Sequence, residues 1–195
     1  MLFRSGVLVS VMASFGGDSD SSDSSVEFDI ESFTIAGHSF DITTVAFMPI
    51  TKLLKLNQTA TEISGQKVWC GSLGIAEMLL AHPSRIQDKT VVELGAGTGI
   101  LGMLCKRLGA GRVFLTDHDE RSLAHMREDC PRNDVEAHVA RVDWFAPALD
   151  EMPRLTESCA AGGGVVIVAG DVVYKTALVV PFMQTVALIL KAAVG

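Results

Sequence analysis

The residues best placed to do chemistry are Val91-Val92-Glu93-Leu94-Gly95-Ala96-Gly97-Thr98-Gly99, a short apolar run holding one acid and then three glycines at alternate positions. A buried strand that turns through such a loop into a helix leaves bare backbone N–H groups beside the positive end of the helix. Open α/β sheets hold ligands at that place. Gly95 lets the chain turn without a Cβ clash, and Gly97 lets a ligand approach the backbone closely. Twenty-two residues after Gly95, Asp117 closes the next apolar run. A carboxylate there can accept hydrogen bonds from the two ribose hydroxyls of an adenosine-containing ligand. Alone it would read as an acid favoured at a helix start; the loop and the acid together favour the ligand.

Several adenosine ligands can be weighed. Gly97-Thr98-Gly99-Ile100-Leu101-Gly102 spells the dinucleotide fingerprint G-x-G-x-x-G. Its register is wrong, because the strand ends at Leu94 and the functional first glycine is Gly95; counted from there, the third position is Ile100. A P-loop is excluded because no G-K-[ST] follows. The form that remains, Glu93 and an apolar residue before Gly95, Gly97 and Gly99, resembles class I S-adenosylmethionine-dependent methyltransferases. Glu93, Gly95, Ala96, Gly97, Gly99 and Asp117 are therefore candidate cofactor residues.

The elements that must position these residues follow from periodicity. Lys89–Leu94, Arg112–Thr116, Glu136–Val142 and Val165–Ala169 read as buried strands. Between and around them, a helix capped by Ser72 and ended by Pro83, and helices over Thr98–Leu108, Asp119–Cys130 (ended by Pro131) and Ala177–Leu190, carry apolar faces. Strands alternating with helices of this length predict an α/β fold, a Rossmann-like parallel sheet with helices on both sides. Upstream, alternation from Val26 to Ile35 and again at Phe40-Asp41-Ile42, around Ala36-Gly37-His38-Ser39, predicts a β-hairpin with His38 at its tip.

Three segments follow: a leader and acidic-serine linker over residues 1–25, the hairpin and its connection over 26–64, and the cofactor-binding domain over 65–195. The leader is expected to be disordered, although Arg4 and the apolar run Val7–Met12 loosely resemble a secretory signal. Gly16–Ser25 is a solvated linker by composition. The formal net charge is −7, but six acids and no base lie between Asp18 and Glu31, leaving 17 acids against 15 bases over residues 32–195. So even a balance argues against a broad nucleic-acid face and is compatible with a basic protein partner. The cysteines, Cys70, Cys105, Cys130 and Cys159, form no C-x-x-C pair, so neither a disulfide framework nor a zinc site is expected, and no metal is called for. Reduced thiols suit an intracellular chain. Ala177–Leu190, the most apolar segment, is short for a membrane span and holds Pro181 and Gln184.

Beyond the loop, Val68-Trp69 lies upstream of the first domain helix, Val142-Asp143-Trp144 closes the third strand, and Asp171-Val172-Val173-Tyr174 follows the fourth. With the glycine loop and Thr116-Asp117, this ordered set, over residues 57–194, resembles methyltransferase family 16, the protein-lysine methyltransferases of the seven-strand type. The resemblance implies that Trp69, Gly95, Ala96, Gly97, Asp117, Trp144 and Gly170 line an S-adenosylmethionine site. It further implies that Asp171 orients an incoming lysine amine while Tyr174 walls its channel, the proton going to water or to Asp171. At isolated positions the two tryptophans would read as core aromatics and Gly170 as a strand-end turn. A monomer in the cytoplasm or nucleus, acting on a protein substrate, with no nucleic acid or membrane partner, is the expectation. The family fold continues with three more strands, whereas only 24 residues follow Asp171. A sheet truncated after its fourth strand and helix is therefore expected. A small-molecule or arginine acceptor, and a non-catalytic fragment, stay open as alternatives.

Overall fold

The computed structural model describes residues 9–13, 28–45, 64–150 and 164–194. The acidic-serine linker and most of the 46–64 connection lie outside the described residues. Two sheets are present. The first is antiparallel and three-stranded, in the order β1 (Val9–Ala13), β2 (Phe28–Ile35), β3 (His38–Val45). The segment expected to be a disordered leader thus supplies a strand, Val9 opposite Ile35 through Ala13 opposite Glu31. The hairpin turn takes two residues, Ala36 and Gly37, with φ of 47° and 86°. Two left-handed residues match the twist of the flanking strands, so His38 opens β3 opposite Ile35 and is not the tip. Phe33, Ile35, Phe40 and Ile42 are buried, while Ile30 faces out.

The second sheet is parallel, in the order β6-β5-β4-β7: β4 is Thr90–Leu94, β5 Arg112–Asp117, β6 His138–Arg141 and β7 Val165–Val168. Its helices are α1 (Cys70–Ala81), α2 (Ile100–Arg107), α3 (Glu120–Arg132) and α4 (Val179–Val194). The crossovers from β4 to β5 and from β5 to β6 carry α2 and α3, which pack on one face of the sheet. Alternating strand residues divide between two cores. Val91, Val113 and Leu115 meet Leu79 of α1, Leu101 of α2 and Met126 of α3, and the N-terminal sheet's Phe33, Ile35, Phe40 and Ile42 join that same cluster. Val92, Leu94 and Phe114 meet Ile189 and Phe182 of α4 on the opposite face.

Element ends show where local signals were overridden. Thr98–Leu108 was the expected helix, but Gly99 has φ 72°, so α2 starts at Ile100. It ends at Arg107 and is stopped just beyond by Gly109, with φ 96°, where Gly109 N donates to Lys106 O and Ala110 N to Cys105 O, the paired bonds of a glycine-stopped helix. Pro131 does not end α3 but lies in its last turn; the Asn133 amide donates to Asp129 O at 2.8 Å and steadies that turn. Ser72 is inside α1, whose cap residue is Trp69 and whose start receives no local side-chain cap. Thr176–Ala193, a 3-10 turn continued by α4, is long and apolar enough by length and composition to cross a membrane, unlike the shorter segment read from the sequence. Its Thr185 and Ile189 are fully buried in this fold.

The N-terminal sheet is fastened to the far end of α3. Thr43 donates from N and Oγ1 to the two oxygens of Asp129, each at 2.8 Å, and Arg132 pairs with the same carboxylate. Asn133 exchanges two bonds with the backbone of Asp41, at 2.7 and 2.8 Å.

Candidate cofactor and acceptor site

The carboxyl ends of β4, β5 and β7 open on one cavity of about 1170 Å³. Drug-sized ligands fill pockets of roughly 300–1000 Å³, so this one has room for a nucleoside cofactor and part of a second molecule. Its floor is the loop after β4, where Gly95, Gly97 and Gly99 all take positive φ, 65°, 55° and 72°. Ala96 N donates to Thr116 O at 2.9 Å, which ties the loop to β5. The close approach that requires glycine at 97 is made by the chain itself: a Cβ there would lie 2.6 Å from the carbonyl oxygen of Gly65. At Gly95 a Cβ would crowd Val172 and the Trp144 ring, at 2.9 and 3.2 Å.

Asp117 ends β5 with its carboxylate turned to this loop. Oδ2 accepts from Gly97 N at 2.9 Å, and Oδ1 accepts from the backbone N–H groups of His118 and Asp119 at 2.7 and 3.0 Å. Burial pushes this carboxyl up, but the bonds from His118, Asp119 and Gly97 outweigh it, and the net direction is down. An ionised carboxylate therefore lines the cavity. Oδ2, with one bond from the described residues, keeps acceptor capacity for a sugar hydroxyl. His118, beside it with Nδ1 at 3.2 Å, is pushed up by its hydrogen bond to Asp117.

Trp69, Gly95, Ala96, Gly97, Asp117, Trp144, Gly170, Asp171 and Tyr174 all line the cavity. Trp69 is half exposed and its Nε1 donates to Ser64 O at 2.7 Å. Trp144 lies against Gly95 and meets Phe182 edge-on, centroids 5.1 Å apart. A Cβ on Gly170 would strike the Ser72 backbone N at 2.8 Å, so the loop after β7 packs directly on the start of α1. There the Asp171 carboxylate accepts from Gly71 N at 2.6 Å and gives α1 the cap it lacks locally, from 100 residues away. Asp171 holds φ 55°, a strained value for a non-glycine residue. Tyr174 is 56% exposed, with Lys175 Nζ 5.4 Å from its ring centre.

Two of the candidate cofactor residues stand elsewhere. Glu93 is 2% exposed and does not line the cavity; its Oε2 accepts from Gly102 N at 2.7 Å inside the domain. Burial, with a smaller push from the nearby Asp117 charge, raises its carboxyl to about 8 against the lowering effect of the Gly102 bond. Glu93 braces β4 against α2. Gly99 also faces inward, since its Cβ would meet Leu115 and Met126 at 3.0 Å. It allows the turn and the close packing behind the loop.

The sequence left unassigned the wall formed by Ser64, Gly65 and Lys67, and the α4 residue Phe182, all of which line the cavity. In the sequence, Gly65 is only the first residue of the cofactor-binding domain. Its role depends on Gly97, which is distant in sequence.

A parallel sheet with a glycine loop after one strand, an ionised acid after the next and aromatic walls at its carboxyl edge defines a Rossmann-like, nucleoside-cofactor fold of the methyltransferase kind. The chain belongs to the lysine methyltransferase family, which matches residues 50–194; the cofactor of such enzymes is S-adenosylmethionine. Histone-arginine methyltransferase METTL23 of Xenopus laevis is 30% identical over 116 residues, which is 57% of this chain and 45% of that protein. Protein-lysine N-methyltransferase EFM3 of Chaetomium thermophilum is 32% identical over 72 residues, 36% of this chain and 21% of that protein. The solved structure of SMU.776 in complex with SAH superposes with a TM-score of 0.46 and 13% identity, over 93% of this chain and 48% of that one. The chain spans less than half the length of each of these proteins.

Proposed function

We propose that this chain binds S-adenosylmethionine in the cavity and directs its methyl group to a lysine ε-amine of a protein substrate. The observation that carries the reading is the ionised Asp117 carboxylate, bonded to the Gly97 amide and lining the cavity that also contains Asp171 and Tyr174. Asp117 would hold the ribose diol. Trp69 and Trp144 supply aromatic walls, and an aromatic face favours a sulfonium cation. Bound there, the cofactor supplies an activated methyl group on a good leaving group, so the protein's share is orientation and exclusion of water. A lysine amine is protonated at neutral pH and must shed that proton before it attacks. Asp171, with one oxygen committed to Gly71, would align the amine with the other, while Tyr174 walls the entrance and the proton leaves to water.

The similarity to a histone-arginine methyltransferase favours, as a second reading, a guanidinium at the same place.

Calorimetric titration with S-adenosylhomocysteine tests the cofactor half. Asp117→Ala removes a charged acceptor worth about 1.5–3 kcal/mol, so affinity is expected to fall on the order of ten- to a hundredfold. No binding by the unaltered chain would end the reading. Incubation with labelled cofactor and cell proteins, followed by residue analysis, separates methyl-lysine from methylarginine. Asp171→Ala should keep cofactor binding and lose transfer; full transfer would remove Asp171 from its role.

A further inference from the structure

Gln66 does not line the cavity and is 1% exposed, yet its side chain is the hub of a polar cluster beneath the wall. Its Nε2 donates to Ser122 Oγ at 2.7 Å and to Asp119 Oδ2 at 3.2 Å, and its Oε1 accepts from His125 Nδ1 at 2.7 Å. Both donor hydrogens and an acceptor position of the amide are thus used. The three partners are the cap and the first two turns of α3, where Asp119 also accepts from Ser122 N at 2.8 Å.

Two routes lead from this cluster to the cavity. Through the backbone, Gln66 fixes Gly65, whose carbonyl oxygen is the atom a Cβ on Gly97 would meet at 2.6 Å; a Cβ on Gly65 would itself meet Ser122 Oγ at 2.9 Å. Strap, glycine loop and α3 therefore meet at one point, with no room for a Cβ on either glycine. Through hydrogen bonds, Asp119 N donates to Asp117 Oδ1, and Asp117 Oδ2 accepts from Gly97 N. On the cavity side the same strap presents Ser64, Gly65, Lys67 and Trp69, and the Trp69 indole closes it on Ser64. The cluster also reaches the N-terminal sheet, since Phe28 packs edge-on to His125 at 4.7 Å.

We infer that Gln66 is a positioning residue for the cofactor: it holds the Ser64–Trp69 strap against the glycine loop and keeps Asp117 in register through Asp119. The inference rests on the cofactor reading above. A leucine at this position has comparable volume and none of the three bonds, so the strap should loosen while the core stays filled. Each hydrogen bond of this kind contributes a few-fold in an equilibrium constant, so Gln66→Leu is expected to raise the dissociation constant for S-adenosylhomocysteine on the order of tenfold, with turnover at saturating cofactor changed about twofold or less. The control is Asn133→Ala, at the opposite end of α3, which loses the bonds to Asp41 and should lower the melting temperature without changing that constant.

The experiment is calorimetry with S-adenosylhomocysteine on the full chain and these variants, with melting temperatures in parallel. A double variant with Ser122→Ala should show a less than additive effect, because both changes break one bond. If Gln66→Leu melts earlier but binds as the unaltered chain does, as Asn133→Ala should, Gln66 is only structural and the inference fails. If the unaltered chain itself does not bind, the cofactor reading has failed and takes this one with it. Where Gln66→Leu does not fold, Ser122→Ala alone carries the comparison, with about a threefold loss expected and no loss refuting it.

Discussion

Replacing Glu93 by glutamine tests the buried carboxyl beneath the glycine loop. In the unfolded chain this group titrates near 4.5, and in the fold it is raised to about 8. Between those values the folded protein keeps a proton that the unfolded chain has released. Stability therefore falls as pH rises through the window, by about 1.4 kcal/mol per pH unit from this one group. The penalty is absent below 4.5, roughly 3 kcal/mol by pH 7, and on the order of 5 kcal/mol once pH passes 8. Glutamine keeps an oxygen for the Gly102 N–H and does not titrate. Its extra N–H donors, buried there, subtract a constant on the order of 1–3 kcal/mol. The slope is therefore the quantity to read, since the constant cancels from it. Urea unfolding at pH 5, 6, 7 and 8, followed by tryptophan fluorescence, should show Glu93→Gln gaining on the unaltered chain by about 1.4 kcal/mol per unit. A difference that stays flat across this range would mean that Glu93 is already ionised in the fold, and the assignment of a protonated brace would be wrong. Asp117→Asn removes the neighbouring charge that helps raise Glu93, so in that background the slope should stop at a lower pH.

Gly97→Ala should be the most damaging single methyl in the loop, because its Cβ would meet backbone, the Gly65 carbonyl at 2.6 Å, at a φ of 55°. A loss of about 1–3 kcal/mol in stability is expected, together with loss of measurable S-adenosylhomocysteine binding by calorimetry. Asp129→Ala removes the buried acid that holds Thr43 and Arg132. Because this leaves the buried Thr43 N–H and hydroxyl without their acceptor, about 1–3 kcal/mol should be lost in urea unfolding.

The parallel sheet and its loop were legible because their signals are local: an apolar strand reads as buried on both faces, and glycines at 95, 97 and 99 have few other uses at a strand end. The position of Asp117 at the cavity was legible for the same reason, since it follows from its place at the end of a strand. What failed depended on contacts distant in sequence. Ser72 looked like a cap, but the bond that starts α1 comes from Asp171, 100 positions on. Glu93 reads as a cofactor residue when only its distance from Gly95 is counted; its side chain in fact points into the domain, where Gly102 meets it. Gly97 does line the cavity, but the contact that also requires a glycine there, with the Gly65 carbonyl, is distant in sequence. Pro131 and His38 were judged by residue type, whereas Asn133 and the two left-handed turn residues decide those ends.

The way the N-terminal sheet is mounted bears on how much of the chain can be cut away. Its inward aromatic and aliphatic residues share a single core with the helices under the parallel sheet, and its strand β3 supplies two of the hydrogen bonds that satisfy a fully buried acid, Asp129. A shortened protein beginning at Ser64 would uncover that apolar surface and leave the acid to Arg132 alone. The hairpin is therefore a supporting wall of the parallel-sheet half, and trimming it as a dispensable prefix would take the foundation with it.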